Sequence, residues 1–194
     1  MITFIIGLFL FCICIFGAFF LSRIGLAFFA FLVGSVGFFT VGMIYLLPYI
    51  EPAINGANSY IMNQISKILP YFHVTENLSL ITIPTKEGIV TMILNYECSG
   101  GIELLVFLSL VLFFPFGNIK TKLLSTFGGL SFLFIANIGR LLFIIAITKW
   151  FGAPAYYIAH TVLARILFFG LTIYIYYKLF TVVQLRYQQV GELK

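Results

Sequence analysis

Three residues that could carry chemistry stand out in this chain: Cys98, Arg140 and His160. Cys98 lies where a polar segment meets a long apolar run, and a cysteine thiolate is a nucleophile. Arg140 and His160 lie inside two later apolar segments, where a lipid-facing helix does not tolerate an ionisable group without a partner or water. Together they could supply a nucleophile, a base and a cation.

The chemical properties of these residues complement one another. A cysteine attacks as its thiolate, and a helix N-terminus or a neighbouring imidazolium lowers a thiol pKa. His160 could take the thiol proton and return it to a leaving amine, while Arg140 could stabilise an oxyanion through its N–H donors. Asn137 precedes Arg140 by three residues and shares its helical face, where its amide could orient the guanidinium or donate to substrate. This combination favours acyl transfer through an acyl-enzyme.

The composition indicates that these residues lie in a membrane protein. Hydrophobic residues make up 62% of the 194 residues, charged residues only 9%, and the mean hydropathy is +1.12. An apolar run of about 20 residues rises about 30 Å as a helix, which is the thickness of the hydrocarbon core. We predict an all-α membrane protein with a single membrane domain, 1–194, built as a multi-pass bundle of about five transmembrane helices. The predicted spans are 2–21, 24–47, 99–116, 123–147 and 156–177.

The segment 48–97 is the only part with soluble character. Ala53 to Leu69 alternates apolar and polar residues near helical spacing, which predicts a small amphipathic helix at the interface, ended by Pro70. Leu78 to Ile83 and Ile89 to Tyr96 are β-branched runs around a Pro- and Gly-containing turn, and they predict a β-hairpin. This hairpin would deliver the chain to Cys98.

The helical rise places the three candidate residues at a similar depth. Counted from Leu123, Arg140 lies about 26 Å along its span, and His160 lies about 6 Å inside its own span, counted from Tyr156. Cys98 precedes the third span at the same face, because the turn between the third and fourth spans lies on the opposite side. We therefore expect a single site formed by residues that are far apart in sequence.

Basic residues in the short connections predict the orientation. With five spans, one side of the membrane collects most lysines and arginines, and the positive-inside rule makes that side cytoplasmic. The N-terminus, the segment 48–97 and the site would then lie at the extracytoplasmic face of the cell membrane. The basic residues assigned to the cytoplasmic side are Arg23, Lys120, Lys122, Lys178, Arg186 and Lys194.

Three sequence features resemble the exosortase/archaeosortase family of multi-pass membrane cysteine transpeptidases. They are Glu97-Cys98-Ser99-Gly100, then Asn137-Ile138-Gly139-Arg140, then an isolated His160 in the next hydrophobic segment. The resemblance covers roughly residues 95–177, and this chain has fewer spans than the longer members.

The resemblance implies a function in protein sorting. Cys98 would be the nucleophile and Arg140 and His160 its partners, with Glu97, Ser99 and Asn137 in support. The implied substrate is a protein whose C-terminal sorting signal contains a short recognition motif, a transmembrane helix and a basic tail. Cleavage would give an acyl-enzyme, which passes the acyl group to an amine or to water.

A different class of function fits some of the same residues. In a small transporter or lipid-binding membrane protein, Arg140, Glu103 and His160 would bind an anionic headgroup, and Cys98 would be incidental. Glu103 is an unusual acidic residue in the third span, and we predict that it pairs with Arg140 or Arg165. The reactivity of Cys98 distinguishes the two classes.

Other chemistries have little support in the sequence. There is no Cys-x-x-Cys or His-x-x-His spacing and no glycine-rich phosphate loop, so we predict neither a metal nor a cofactor. Cys12 and Cys14 are interpreted as apolar packing in the first span, and the odd total of three cysteines argues against a disulfide framework. The net charge of +5 is attributed to membrane topology, so the expected partners include membrane lipids but no nucleic acid.

Overall fold

The computed structural model describes residues 2–114 and 119–181 and is 80% helical. Helices dominate because a chain in a bilayer must satisfy its backbone hydrogen bonds internally. The long helices of the described residues are α1 (Ile2–Arg23), α2 (Ala27–Ile68), α3 (Gly101–Phe113), α4 (Ile119–Phe151) and α5 (Ala153–Thr181). A short 3₁₀ helix, Glu76–Leu78, lies between α2 and α3.

Four of these helices, α1, α2, α4 and α5, are long and apolar enough to cross a membrane, which supports a helical membrane protein. The predicted span 99–116 is shorter than expected. Helix α3 has 13 residues, or about 20 Å, against a hydrocarbon core of about 30 Å. It begins at Gly101 because Gly100 has a φ of +76°, a left-handed conformation that a right-handed helix does not contain. Residues 115 and 116 lie outside the described part of the chain.

The other predicted spans also differ at their ends. The first ends at Arg23 instead of residue 21, and the spans 123–147 and 156–177 become α4 and α5, which are longer. A span predicted from hydropathy ends where polar residues begin. The helix itself continues when those residues find hydrogen-bond partners. At the end of α4, for example, Lys149 Nζ donates to the carbonyl of Pro84 at 2.7 Å.

The helix predicted at 53–69 is present over residues 53–68, but it is not separate, because these residues continue the second span as one helix, α2. A π-helical turn, Gly42–Leu46, ends two residues before Pro48. Proline lacks an N–H and crowds the preceding turn, and the wider π turn accommodates this without ending the helix. The predicted end at Pro70 is confirmed, since Leu69 leaves the helical conformation. The segment 48–97 therefore begins inside a helix.

A small antiparallel sheet follows α2. Its strands, in spatial order, are β1 (His73–Thr75), β2 (Leu80–Thr85) and β3 (Gly88–Ile93). The predicted hairpin is confirmed by β2 and β3, which pair Thr85 with Gly88 around a two-residue turn. The sequence analysis missed β1, whose three residues are too few to show a strand period.

One face of the sheet packs against the helices. Ile81, Ile83 and Met92 are buried together with Met62 of α2 and with several apolar residues of α4, including Leu141. Cys98 belongs to this same cluster. The sheet and the extended ends of α2 and α4 thus form a cap at one end of the bundle, and Cys98 lies beneath it.

Candidate active site

Cys98 lies in a tight turn between β3 and α3. The backbone N–H groups of Cys98 and Ser99 both donate to the Asn95 carbonyl, at 3.0 and 2.9 Å, and Asn95 Oδ1 accepts from Glu97 N at 3.2 Å. Gly100, in its left-handed conformation, then turns the chain into α3. This turn holds the Cys98 side chain inside the protein, where only 2% of the residue is exposed.

Two buried asparagines fix this turn to the helices. Asn137 Nδ2, on α4, donates to the carbonyls of Cys98 at 3.2 Å and Ser99 at 2.9 Å. Asn58 Nδ2, on α2, donates to the Ser99 carbonyl at 3.0 Å. Because each amide has a defined backbone acceptor in a buried position, these bonds constrain the backbone that carries the thiol.

Asn58 was missed by sequence analysis, which placed it on the polar face of an amphipathic helix. It is fully buried in the structure. The available signal was its spacing: Asn55, Asn58 and Ser59 form a polar stripe along α2, and all three are buried. A polar stripe on a helix can face other protein groups as well as water.

His160 contacts Cys98 directly. Its Nε2 lies 2.9 Å from Cys98 Sγ, within hydrogen-bonding distance. The histidine belongs to a π-helical turn of α5, Ala159–Leu163, a local feature that is frequent at functional sites. Tyr156, one turn earlier, stacks on the imidazole with ring centroids 5.5 Å apart. The thiol and the imidazole are therefore positioned for proton transfer.

Arg140 is buried beside the same turn, with 2% of the residue exposed. Its Nη2 donates to the Glu97 carbonyl at 3.2 Å, and the guanidinium carbon lies 5.4 Å from the ring centroid of Phe168. Arg140 Nε has no hydrogen-bond acceptor in the described part of the chain. Asn137 does not orient the guanidinium, because its Nδ2 donates elsewhere and its Oδ1 accepts nothing from the described residues. Arg140 thus keeps one donor available at the site.

The charges near Cys98 differ from the expected pairing. Arg165 forms the ion pair with Glu97, at 3.2 Å, and this pair is about half exposed. Glu103 forms no ion pair with either arginine, so the predicted pairing of Glu103 is wrong. Ser99 Oγ accepts from Gly101 N at 3.1 Å and supports the start of α3.

Burial raises the pKa of the Cys98 thiol above its ordinary value. The nearby Arg140 guanidinium acts in the opposite direction, but it does not reverse the effect. This is the reverse of the lowered pKa expected from a helix N-terminus and an imidazolium. A neutral thiol next to an imidazole requires the base to remove the proton as the sulfur attacks.

A cavity of about 690 Å³ adjoins the site between α3 and α5. Glu97, Arg140 and Arg165 line its polar part, and Val106, Phe168 and Phe169 contribute to an apolar wall. The cavity therefore connects the charged groups near Cys98 with an apolar cleft. Over residues 2–114 and 119–181, no cluster of three metal-ligating side chains occurs.

The structure brings together Cys98, His160 and Arg140, as their common depth predicted, and Asn137 bonds the backbone carbonyls of Cys98 and Ser99. Comparisons of the chain with protein-family models, curated proteins and solved structures found no match. The geometry of these residues carries the functional inference below.

Proposed function

We propose that this protein is a membrane-embedded cysteine transpeptidase or protease. The observation that carries this proposal is the 2.9 Å contact between Cys98 Sγ and His160 Nε2. The buried Arg140, with an unused N–H beside this pair, supports it. A lipid-binding protein or transporter has no need for a nucleophile held against a base, so this contact favours the enzyme.

The reaction would begin with His160 Nε2 taking the thiol proton as Cys98 Sγ attacks the carbonyl carbon of a peptide bond. The new C–S bond gives a tetrahedral oxyanion, which Arg140 Nε–H stabilises. The C–N bond then breaks, His160 returns the proton to the leaving amine, and a thioester remains on Cys98. His160 then takes a proton from an amine or water as that nucleophile attacks the thioester carbon. The C–S bond breaks, and the released Cys98 thiolate takes this proton back from His160.

The resemblance to the exosortase/archaeosortase family supports a substrate protein with a C-terminal recognition motif, a transmembrane helix and a basic tail. Such a helix would present the bond next to it at the depth of Cys98. The enzyme would cleave this sorting signal and transfer the acyl group to an amine or to water.

The proposed site faces the extracytoplasmic side of the cell membrane. Arg23, Lys120, Lys122 and Lys178 lie at the helix ends remote from Cys98, which supports a cytoplasmic location for those ends. Arg186 and Lys194, assigned to the same side, lie outside the described residues. Introducing Lys86→Cys at the exposed hairpin turn, with the three native cysteines replaced, should allow labelling by a membrane-impermeant thiol reagent in intact cells. Labelling only after permeabilisation would contradict this orientation and place the hairpin on the cytoplasmic side.

Co-expression with a tagged candidate substrate that carries such a C-terminal signal tests the activity. Processing should stop in Cys98→Ala and fall to a trace in Cys98→Ser, because a hydroxyl is a much poorer nucleophile at neutral pH. Cys12→Ala, which changes an exposed cysteine of α1, is the matched control and should process normally. Unchanged processing by Cys98→Ala would exclude the transpeptidase and favour the headgroup-binding alternative.

A further inference from the structure

The cavity between α3 and α5 contains buried polar atoms without partners. They are Glu103 Oε2, Arg140 Nε and the Tyr176 hydroxyl, none of which forms a hydrogen bond with the described residues. An unpaired polar atom in an apolar site is costly, because it has lost its hydrogen bonds to water and gained none in the protein. All three atoms belong to residues that line one cavity, so a ligand bound there is a candidate partner for them.

The charges of the cavity restrict that ligand. The charged residues that line it in the described chain are Glu97, Glu103, Arg140 and Arg165, and their formal charges sum to zero. A cationic ligand would meet two arginines, and an anionic ligand two carboxylates. A neutral ligand avoids both repulsions.

The unpaired atoms also call for different hydrogen-bonding groups. The Glu103 carboxylate accepts, Arg140 Nε donates, and the Tyr176 hydroxyl can do either. A lipid acyl chain offers neither donor nor acceptor. An extended polypeptide offers both, since each of its residues carries one N–H and one C=O. The volume, about 690 Å³, is within the usual range for ligand sites of about 300–1,000 Å³.

We propose that this cavity binds a short apolar polypeptide segment of the substrate, and that Glu103 determines specificity by accepting a backbone N–H of that segment. The carbonyl of the bond that Cys98 attacks accepts from Arg140 Nε, and another carbonyl of the segment accepts from the Tyr176 hydroxyl. The segment's side chains contact the apolar wall formed by Val106, Phe168 and Phe169. This inference rests on the proposed function, because it identifies the bound segment as the one next to the bond that Cys98 attacks.

A pair of synthetic peptides tests the proposal on the full chain in lipid nanodiscs, with Cys98→Ala present so that no turnover occurs. The probe is an acetylated pentapeptide amide of leucine and alanine with one photoreactive leucine, and its partner carries N-methylated backbone amides. We expect the unmodified peptide to bind at least tenfold more tightly than the N-methylated one. Photo-cross-links should fall on cavity residues such as Val106 and Phe169.

Variants of Glu103 then test whether this residue causes the preference for the unmodified peptide over the N-methylated one. Glu103→Leu removes the acceptor, so the tenfold preference should fall to about twofold or less. Glu103→Gln keeps a weaker neutral acceptor, so it should retain a reduced preference, and it decides the test if Glu103→Leu does not fold. Ile173→Ala, on the exposed surface of α5 away from the cavity lining, is the control and should retain the full preference.

Several results would overturn the proposal. They are equal binding of the two peptides, an undiminished preference in the Glu103 variants, or cross-links confined to the exposed residues of α1. Displacement of the probe by dodecylamine at lower concentration than by the unlabelled peptide would identify a cation site instead. Because the assay lacks Cys98, its failure is separate from that of the proposed function, which is decided by substrate processing in the Cys98→Ala variant with Glu103 intact.

Discussion

Below the site, α3, α4 and α5 meet through apolar side chains. Phe107, Val111 and Leu133 are buried there, and Phe107 stacks on Tyr176 with centroids 5.9 Å apart. Around Cys98, by contrast, Asn58, Ser99, Asn137 and Arg140 are all buried within the protein. The region below the site is stabilised by apolar packing, and the region around Cys98 largely by directed hydrogen bonds.

This difference matters because the two kinds of contact tolerate change differently. Apolar packing accepts many substitutions that preserve volume, at modest cost. A buried amide that loses its partner leaves an unpaired group, and its geometry cannot be restored by a small repacking. Changes in the packed region should therefore alter stability alone, whereas changes in the hydrogen-bonded region should also alter the reactivity of Cys98.

Among substitutions that keep Cys98, the largest effect is expected for His160→Ala. Loss of the base should lower substrate processing by about 10²–10⁴-fold. Alkylation of Cys98 by a small neutral reagent should also slow at pH 7, because the raised thiol pKa leaves little thiolate without a base. Well above that pKa the thiolate forms unaided, so the rates of variant and wild type should converge. Identical profiles of alkylation rate against pH for the folded variant and the wild type would show that His160 does not act as a base for the Cys98 thiol.

Arg140→Lys should have the next largest effect. Lysine keeps the charge but loses the planar set of donors that bonds the Glu97 carbonyl and leaves Nε–H available. Removal of one oxyanion donor typically lowers the rate by about 10²–10³-fold. Single-turnover cleavage of a substrate should show this loss with the alkylation rate of Cys98 retained to within a few fold. Near-normal cleavage would show that only the positive charge of Arg140 is needed and not its planar set of donors.

The sequence predicted most of what hydropathy and helical rise determine. The apolar runs located the long helices, and depth along them brought Cys98, Arg140 and His160 to one end of the bundle. The sequence could not predict that α2 continues through Pro48, because that depends on a π turn and on tertiary contacts of the polar residues beyond it. These contacts join segments that are distant in sequence.

The details of the site depend on such contacts too. Asn58 is 41 residues from Ser99, whose carbonyl accepts its amide. The partner of Arg165 is Glu97 and not Glu103, a choice set by the turn before α3 and not by residue type. The raised pKa of Cys98 follows from burial under the sheet, which local sequence does not reveal.

A pair of substitutions on α4 compares the two regions directly. Asn137→Ala removes the amide Nδ2 that donates to the carbonyls of Cys98 and Ser99. It should lower both the thermal midpoint of the protein and the alkylation rate of Cys98. Leu133→Ala, one turn away in the packed region, should cost about 2–5 kcal/mol of stability and leave the alkylation rate unchanged. Thermal unfolding and alkylation in the same detergent measure both. A slowed alkylation in Leu133→Ala would mean that the two regions are coupled.

The smallest expected effect distinguishes two adjacent glycines of α4. A Cβ at Gly129 would meet the ring of Phe107, whereas a Cβ at Gly128 has no described atom outside its own helix within 4 Å. Gly129→Ala should therefore destabilise the packed region by about 1–3 kcal/mol, since the buried Phe107 ring must move. Gly128→Ala should be neutral or slightly stabilising, because alanine favours helix by up to about 1 kcal/mol over glycine. Thermal midpoints of the two variants give the comparison, and Cys98 alkylation should match wild type in both. Equal midpoints would show that the ring yields without cost, and that packing there is looser than the structure indicates.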